Sequence, residues 1–276
     1  MPESNFYSVL GQAIKDLSEH GFDREDRIKM WSDRLRRASE AMFARHHLEG
    51  HLRDALQSIY RRMIERGEIT RYHYGVSRFT IQQLEPKLRA ELNRRIFAAT
   101  DLIKLRRTEA TASTLSRFQA WATSINPGGT RAIDKVDTKN AIYKSLSQLD
   151  YVDRRLRIDQ GYKLISSLND IIAENNGAIA AEWNSHGKAD RSYNARKDHL
   201  RRHGKKFCIR NNWAINKGLM KPGPNGYTDE IEQPGFFVYC RCWYRYIYNL
   251  SSLPRDMLTS AGKETVLKAQ AIAKEI

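Results

Sequence analysis

Cys208, Cys240 and Cys242 are all the cysteines in this 276-residue chain, and His186, His199 and His203 share their stretch, with Asp190 and Asp198 beside them. Thiolates and imidazoles are the donors zinc prefers, in tetrahedral sets of four. His199 and His203 stand four apart and share a face if their segment is helical. Cys240 and Cys242 stand two apart and share a face if theirs is a strand. The pattern therefore predicts a thiolate pair on a strand facing an imidazole on a helix, with zinc as cofactor and Cys208 or His203 as the remaining ligand. The Cys-x-Cys spacing departs from the usual Cys-x2–4-Cys pairs. A competing expectation stands beside it: cysteines packed as small hydrophobes and histidines facing solvent.

Catalytic patterns are sparse. Asp198-His199 with Asn211-Asn212 has a faint likeness to a metal-dependent nuclease of the HNH kind, but no histidine follows His203 to complete such a site. There is no Gly-x-Ser-x-Gly elbow, no Walker loop and no dinucleotide-binding glycine fingerprint. The expectation is a protein that is not an enzyme.

Charge points to an anionic partner. The chain has 47 Lys+Arg against 32 Asp+Glu, a net +15. Residues 1–50 carry 8 basic and 9 acidic side chains, whereas residues 191–221 carry ten basic ones and a single acid, Asp198. Clustered cations are the footprint of phosphate contact. The candidates are Arg191, Arg196, Lys197, Arg201, Arg202, Lys205, Lys206 and Arg210, with Arg241 between the two late cysteines. No zinc-finger repeat, basic zipper or RNA-binding strand motif accompanies them, so phosphate contact without base readout is the expectation, and a solvated basic face or one meeting an acidic protein surface is the alternative. No run approaches 18 apolar residues and the first residues lack a signal-peptide pattern, which predicts no membrane association.

The elements that must position these groups are mostly helices. Phe6, Val9, Leu10, Ala13, Ile14 and Leu17 recur at helical intervals until Gly21, and Asp23 is the expected N-cap of a second helix with Ile28, Trp31, Leu35, Ala38 and Met42 inward. A third helix is expected over 48–66, then a short strand or extended connector near Ile69–Val76. Pro86 opens the next helix, with a break near Thr108, and Asn126-Pro-Gly-Gly reads as a turn. Helices at about 137–149 and 152–175 follow. Beyond Gly177 the character changes, with strands expected at 178–183 and 236–248 and a closing helix at 264–274. The fold class is α+β: a helical assembly domain over 1–176, and over 177–276 a small module containing a hairpin or small antiparallel sheet.

Trp183, Arg196-Lys-Asp-His199, Gly204-Lys-Lys-Phe207, Pro234-Gly235 and Cys240-Arg-Cys242 occur in that order over about sixty residues. That order resembles the Mu F-like head morphogenesis (minor head protein) domain of tailed bacteriophages. The upstream helical part, including His20-Gly21-Phe22-Asp23 and Trp121-Ala-Thr-Ser-Ile125, is similar to podophage head proteins of this type. The resemblance implies a minor virion component at the capsid interior or portal vertex. It would be made in the host cytoplasm, bind portal or major capsid protein in several symmetric copies, and serve assembly or DNA packaging. It also implies metal ligands at His199, Cys240 and Cys242. A nuclease or a free-standing DNA-binding regulator is the alternative.

Overall fold

The computed structural model describes residues 6–45, 48–125, 135–186 and 196–275. The Asn126-Pro-Gly-Gly turn, Asp190 and Arg191 lie outside them. The chain is predominantly helical with a small antiparallel sheet near its C-terminus. Seven helices come first: α1 (Phe6–His20), α2 (Glu25–Arg45), α3 (Leu48–Tyr60), α4 (Arg78–Gln83), α5 (Glu85–Ser124), α6 (Lys135–Ser147) and α7 (Leu149–Asn175). Then come β1 (Ala180–Asn184), α8 (Lys197–Arg202), β2 (Lys206–Cys208), α9 (Trp213–Asn216), β3 (Trp243–Ile247) and α10 (Ser260–Glu275). Packing divides the chain into two compact units, Met1–Arg53 with Phe97–Leu156, and Asp54–Ile96 with Arg157–Ile276. The change of character at Gly177 marks where strands begin and lies inside the second unit.

In the first unit the predicted stripe of α1 is buried, and it packs with Trp31, Leu35, Phe118, Ile142 and Leu146. Gly21, at φ 92°, ends α1 by donating its N–H to Leu17. The cap of α2 is one residue later than expected. Its first turn closes when Ile28 donates to the Arg24 carbonyl, and the Trp31 indole N–H donates to Asp16 at 2.8 Å. The break expected near Thr108 does not occur. Thr108 Oγ1 donates back to the Lys104 carbonyl at 3.0 Å, which satisfies the hydroxyl inside a continuous α5.

In the second unit the segment expected as a short strand or extended connector begins as a 3-10 turn, Glu68–Tyr72, entered through Gly67 at φ 79°. Its three-residue period buries Ile69 and Tyr72 together, and only His73 bridges the sheet, opposite Tyr246. The sheet order is β2-β1-β3, with Ala181 opposite both Phe207 and Tyr246. Alternation along β1 sends Ala180 to a core with Ile247, Met220 and Met257, and sends Ala181 and Trp183 to another with Phe207, Tyr244 and Tyr246.

The strand expected over 236–248 is confined to 243–247. Pro234–Cys242 is a succession of turns with Tyr239 in the left-handed region at φ 63°. Helix α7 holds that segment. Asp159 accepts the Tyr239 N–H at 2.6 Å, Ser166 Oγ donates to the Pro234 carbonyl at 2.6 Å, and Asn169 Nδ2 donates to the Tyr244 carbonyl at 2.8 Å. Tyr246 donates to Asp170 at 2.5 Å. On the other side of Tyr246, His73 is fully buried, stacked on the tyrosine ring at 5.6 Å and hydrogen-bonded through Nδ1 to the Tyr248 hydroxyl.

Burial pushes the His73 imidazole down to about 3, with Asn169 opposing. The unfolded chain therefore takes up a proton there that the native state refuses, and the stabilisation present above pH ~6.5 is lost as pH falls toward 3. Burial raises Asp170 to about 6, which acts in the opposite sense between pH 3.8 and 6. His73→Gln isolates the first effect. The stability advantage of the parent over this variant, measured by urea denaturation, is expected to shrink by up to about 1.4 kcal/mol per pH unit on acidification through that window. A constant difference would refute it.

Candidate metal centre

The sheet, the turn that precedes β3 and helix α8 bring three donors together. His199 lies within α8 and is 1% exposed, and Cys240 and Cys242 are each 3% exposed. The cysteines share a side as predicted, though they achieve this from consecutive turns rather than from a strand. His199 Nδ1 stands 3.5 Å from each sulfur, and all three donor atoms lie within 4.8 Å of one another.

The other two predicted ligands are elsewhere. His203 follows the end of α8, is exposed, and its Nδ1 accepts the Ser185 N–H at 3.2 Å. The C-terminal end of α8 comes before this residue, so the four-residue spacing never places it beside His199. Cys208 ends β2 in the core with Ile179 and Met220, where its thiol donates to the Ile209 carbonyl and accepts from the Asn212 amide. Burial pushes that thiol up to about 11, so it behaves as the packed hydrophobe of the competing expectation.

The grouped donors fit a tetrahedral cation. Zn–N of about 2.0–2.1 Å and Zn–S of about 2.3 Å at the tetrahedral angle separate nitrogen from sulfur by about 3.6 Å, close to the 3.5 Å seen here. The surroundings favour thiolate. The Gly235 N–H donates to Cys240 Sγ at 3.4 Å, and the His186 backbone N–H points at Cys242. His199 Nε2 is buried without a hydrogen bond, 3.8 Å from the Asp198 carboxylate, in the outer position from which a carboxylate orients a ligating imidazole. Trp183 meets His199 edge-on at 5.1 Å. Sequence reasoning did not find the two backbone donors or the α7 anchors. Their only signal is Asp159, Ser166 and Asn169 recurring on one side of α7.

The basic candidates do not form one uniform face. Arg202 lies over Trp183 and pairs with Glu232 at 3.1 Å, Lys206 pairs with Glu182 at 3.3 Å, and Arg210 forms a fork with Asp229 and also meets Glu230. Arg241 lies over the Tyr162 ring at 5.7 Å. Arg196, stacked on Phe237 at 3.9 Å, remains exposed with Lys197, Arg201 and Lys205. The outward cationic surface is therefore α8 and the turn after it. Comparison of the chain with protein-family models, curated proteins and solved structures finds no match.

The two neighbouring thiols lie within hydrogen-bond reach of one another. Cys242 donates to Cys240, which lowers Cys240 to about 5 with help from the Gly235 N–H and His199, and raises Cys242 above the ordinary thiol range. In metal-free protein one thiolate is thus expected to persist down to about pH 5. Its ultraviolet absorbance should vanish in Cys240→Ser and survive in Cys208→Ser. Three thiols titrating together in the usual range would contradict this hydrogen bond.

Proposed function

We propose that this chain is a minor structural protein of a tailed-bacteriophage head, in which zinc fixes a basic helix that contacts packaged double-stranded DNA through its phosphates. The observation that carries this reading is convergence. Trp183, His199, Gly235, Cys240 and Cys242, which carry the resemblance to Mu F-like head proteins, meet at one buried centre despite their separation in sequence. Two thiolates and an imidazole suit zinc in preference to harder cations. His199, Cys240 and Cys242 would hold it, and the ion would supply a cross-link between α8 and the turn before β3.

Burial supports a structural role over a nuclease. His199, at 1% exposure, is withdrawn from any scissile phosphate. The helical part would provide the surface for portal or capsid protein, and exposed Phe97 and Leu105 on α5 are suited to such contacts.

Elemental analysis is expected to find about one zinc per chain, lost in Cys240→Ser/Cys242→Ser and retained in His203→Ala and Cys208→Ser. Folded protein isolated without metal under zinc-replete expression would defeat the zinc reading. DNA contact has its own test. Unrelated duplexes should bind equally, and four phosphate contacts predict a loss of about a hundredfold in affinity between roughly 50 and 200 mM salt. Lys197→Ala/Arg201→Ala/Lys205→Ala should abolish most of this binding. Sequence preference that survives high salt would favour a regulator, and Mg²⁺-, Mn²⁺- or Zn²⁺-dependent cleavage lost in His199→Ala would favour a nuclease.

A further inference from the structure

A cavity of about 680 Å³ opens in the second unit beside the metal centre, and its lining joins three aromatic rings to three guanidinium groups. Ile59, Ile158 and Ile165 contribute an apolar part of its lining. There α7 approaches so closely that a Cβ on Gly161 would stand 2.6 Å from Ile59 Cδ1. Tyr72 and Trp243 form one wall, edge to face at 4.7 Å, and Tyr162 stands in the lining with them.

The cations are arranged around these rings. Arg71 lies over Tyr72 at 5.4 Å and Arg241 over Tyr162 at 5.7 Å, and Arg62 completes the rim. Among the described residues, no acidic side chain lines the cavity. Glu68 is divided between Arg62 at 3.5 Å and Arg71 at 2.9 Å, so two guanidinium groups share one carboxylate. Arg241 owes its place to its neighbours. The turn that sends the Cys240 and Cys242 thiols to His199 carries the guanidinium between them to Tyr162.

We infer that this cavity binds a phosphorylated nucleobase, with the base against Tyr72, Tyr162 and Trp243 and the phosphate held by Arg62, Arg71 and Arg241. Its size lies within the range of about 300–1,000 Å³ typical of small-ligand sites. Aromatic faces combined with cations are how proteins hold single-stranded nucleic acid without regard to sequence, since every base offers a π-face. An acidic peptide would satisfy the guanidinium groups and leave the rings without a partner. The ligand is an exposed base of a DNA strand or a free nucleotide, which have this chemistry in common. The site is distinct from the duplex-contacting surface of α8.

The test is fluorescence anisotropy of the full chain with labelled oligo-dT at low salt, beside an abasic strand of equal length. Oligo-dT should bind and the abasic strand should bind about tenfold more weakly or worse, the loss expected for a stacked base. Tyr162→Leu should weaken oligo-dT binding to the same degree. Arg71→Ala, whose side chain is 61% exposed, should weaken it too. Lys197→Ala/Arg201→Ala/Lys205→Ala should retain oligo-dT while losing duplex. Thymidine monophosphate that competes at low molar excess identifies a free nucleotide as the occupant, and failure to compete identifies a strand; either result upholds the site. Equal binding of abasic strand and oligo-dT, or unchanged binding by both Tyr162→Leu and Arg71→Ala, would overturn it. Loss of both strand forms in the α8 variant alone would also overturn the cavity while leaving the α8 surface in place.

Discussion

A turn-rich segment cannot hold two sulfurs in position by itself, because its backbone groups have no ladder to satisfy them. The segment from Pro234 to Cys242 solves this by borrowing from α7, whose Asp159, Ser166 and Asn169 bond to Tyr239, Pro234 and Tyr244. The close approach this requires crowds any side chain at residue 235, where a Cβ would stand 3.2 Å from Ser166 Cβ and φ is 84°. Glycine meets both demands. Its N–H is then free to point at Cys240. The centre, the orientation of Arg241 and the start of β3 all follow from this docking of a loop on a helix.

Much of the architecture is legible in the sequence where one element buries one face. The α1 stripe, the ends at Gly21 and Gly67, and the onset of strands after Gly177 all follow from periodicity and glycine placement. The failures share a cause. Ile69–Tyr72 and Phe236–Cys242 have the β-branched and aromatic content of strands, and composition reports a half-buried surface without naming the backbone that makes it. Tyr239 is the sharper case, since a left-handed tyrosine has no signature in composition. His199, Cys240 and Cys242 meet as expected, though the geometric reason differs. His203 is expected from its four-residue spacing and Cys208 as the one remaining cysteine, and a helix end and the opposite sheet face separate them from the group.

Net charge was an incomplete guide to surface potential. Arg202, Lys206 and Arg210 are part of the module's own fabric, paired with Glu232, Glu182 and Asp229 across chain separations that only folding closes. Residues paired in this way stabilise the unit modestly at its surface and contribute little attraction for an outside anion. What remains available is the short helix that carries His199, which ties the outward cations to the buried donors on one six-residue element.

The hydrogen bond between Cys240 and Cys242 would give a cation bound at this centre a competitor for its place. Without a cation, one hydrogen bridges the sulfurs and keeps them near the imidazole. A cation that enters must expel that hydrogen, since coordinating thiols are deprotonated. Loading is therefore an exchange of one positive occupant for another, in which acidity and metal supply compete for the same place.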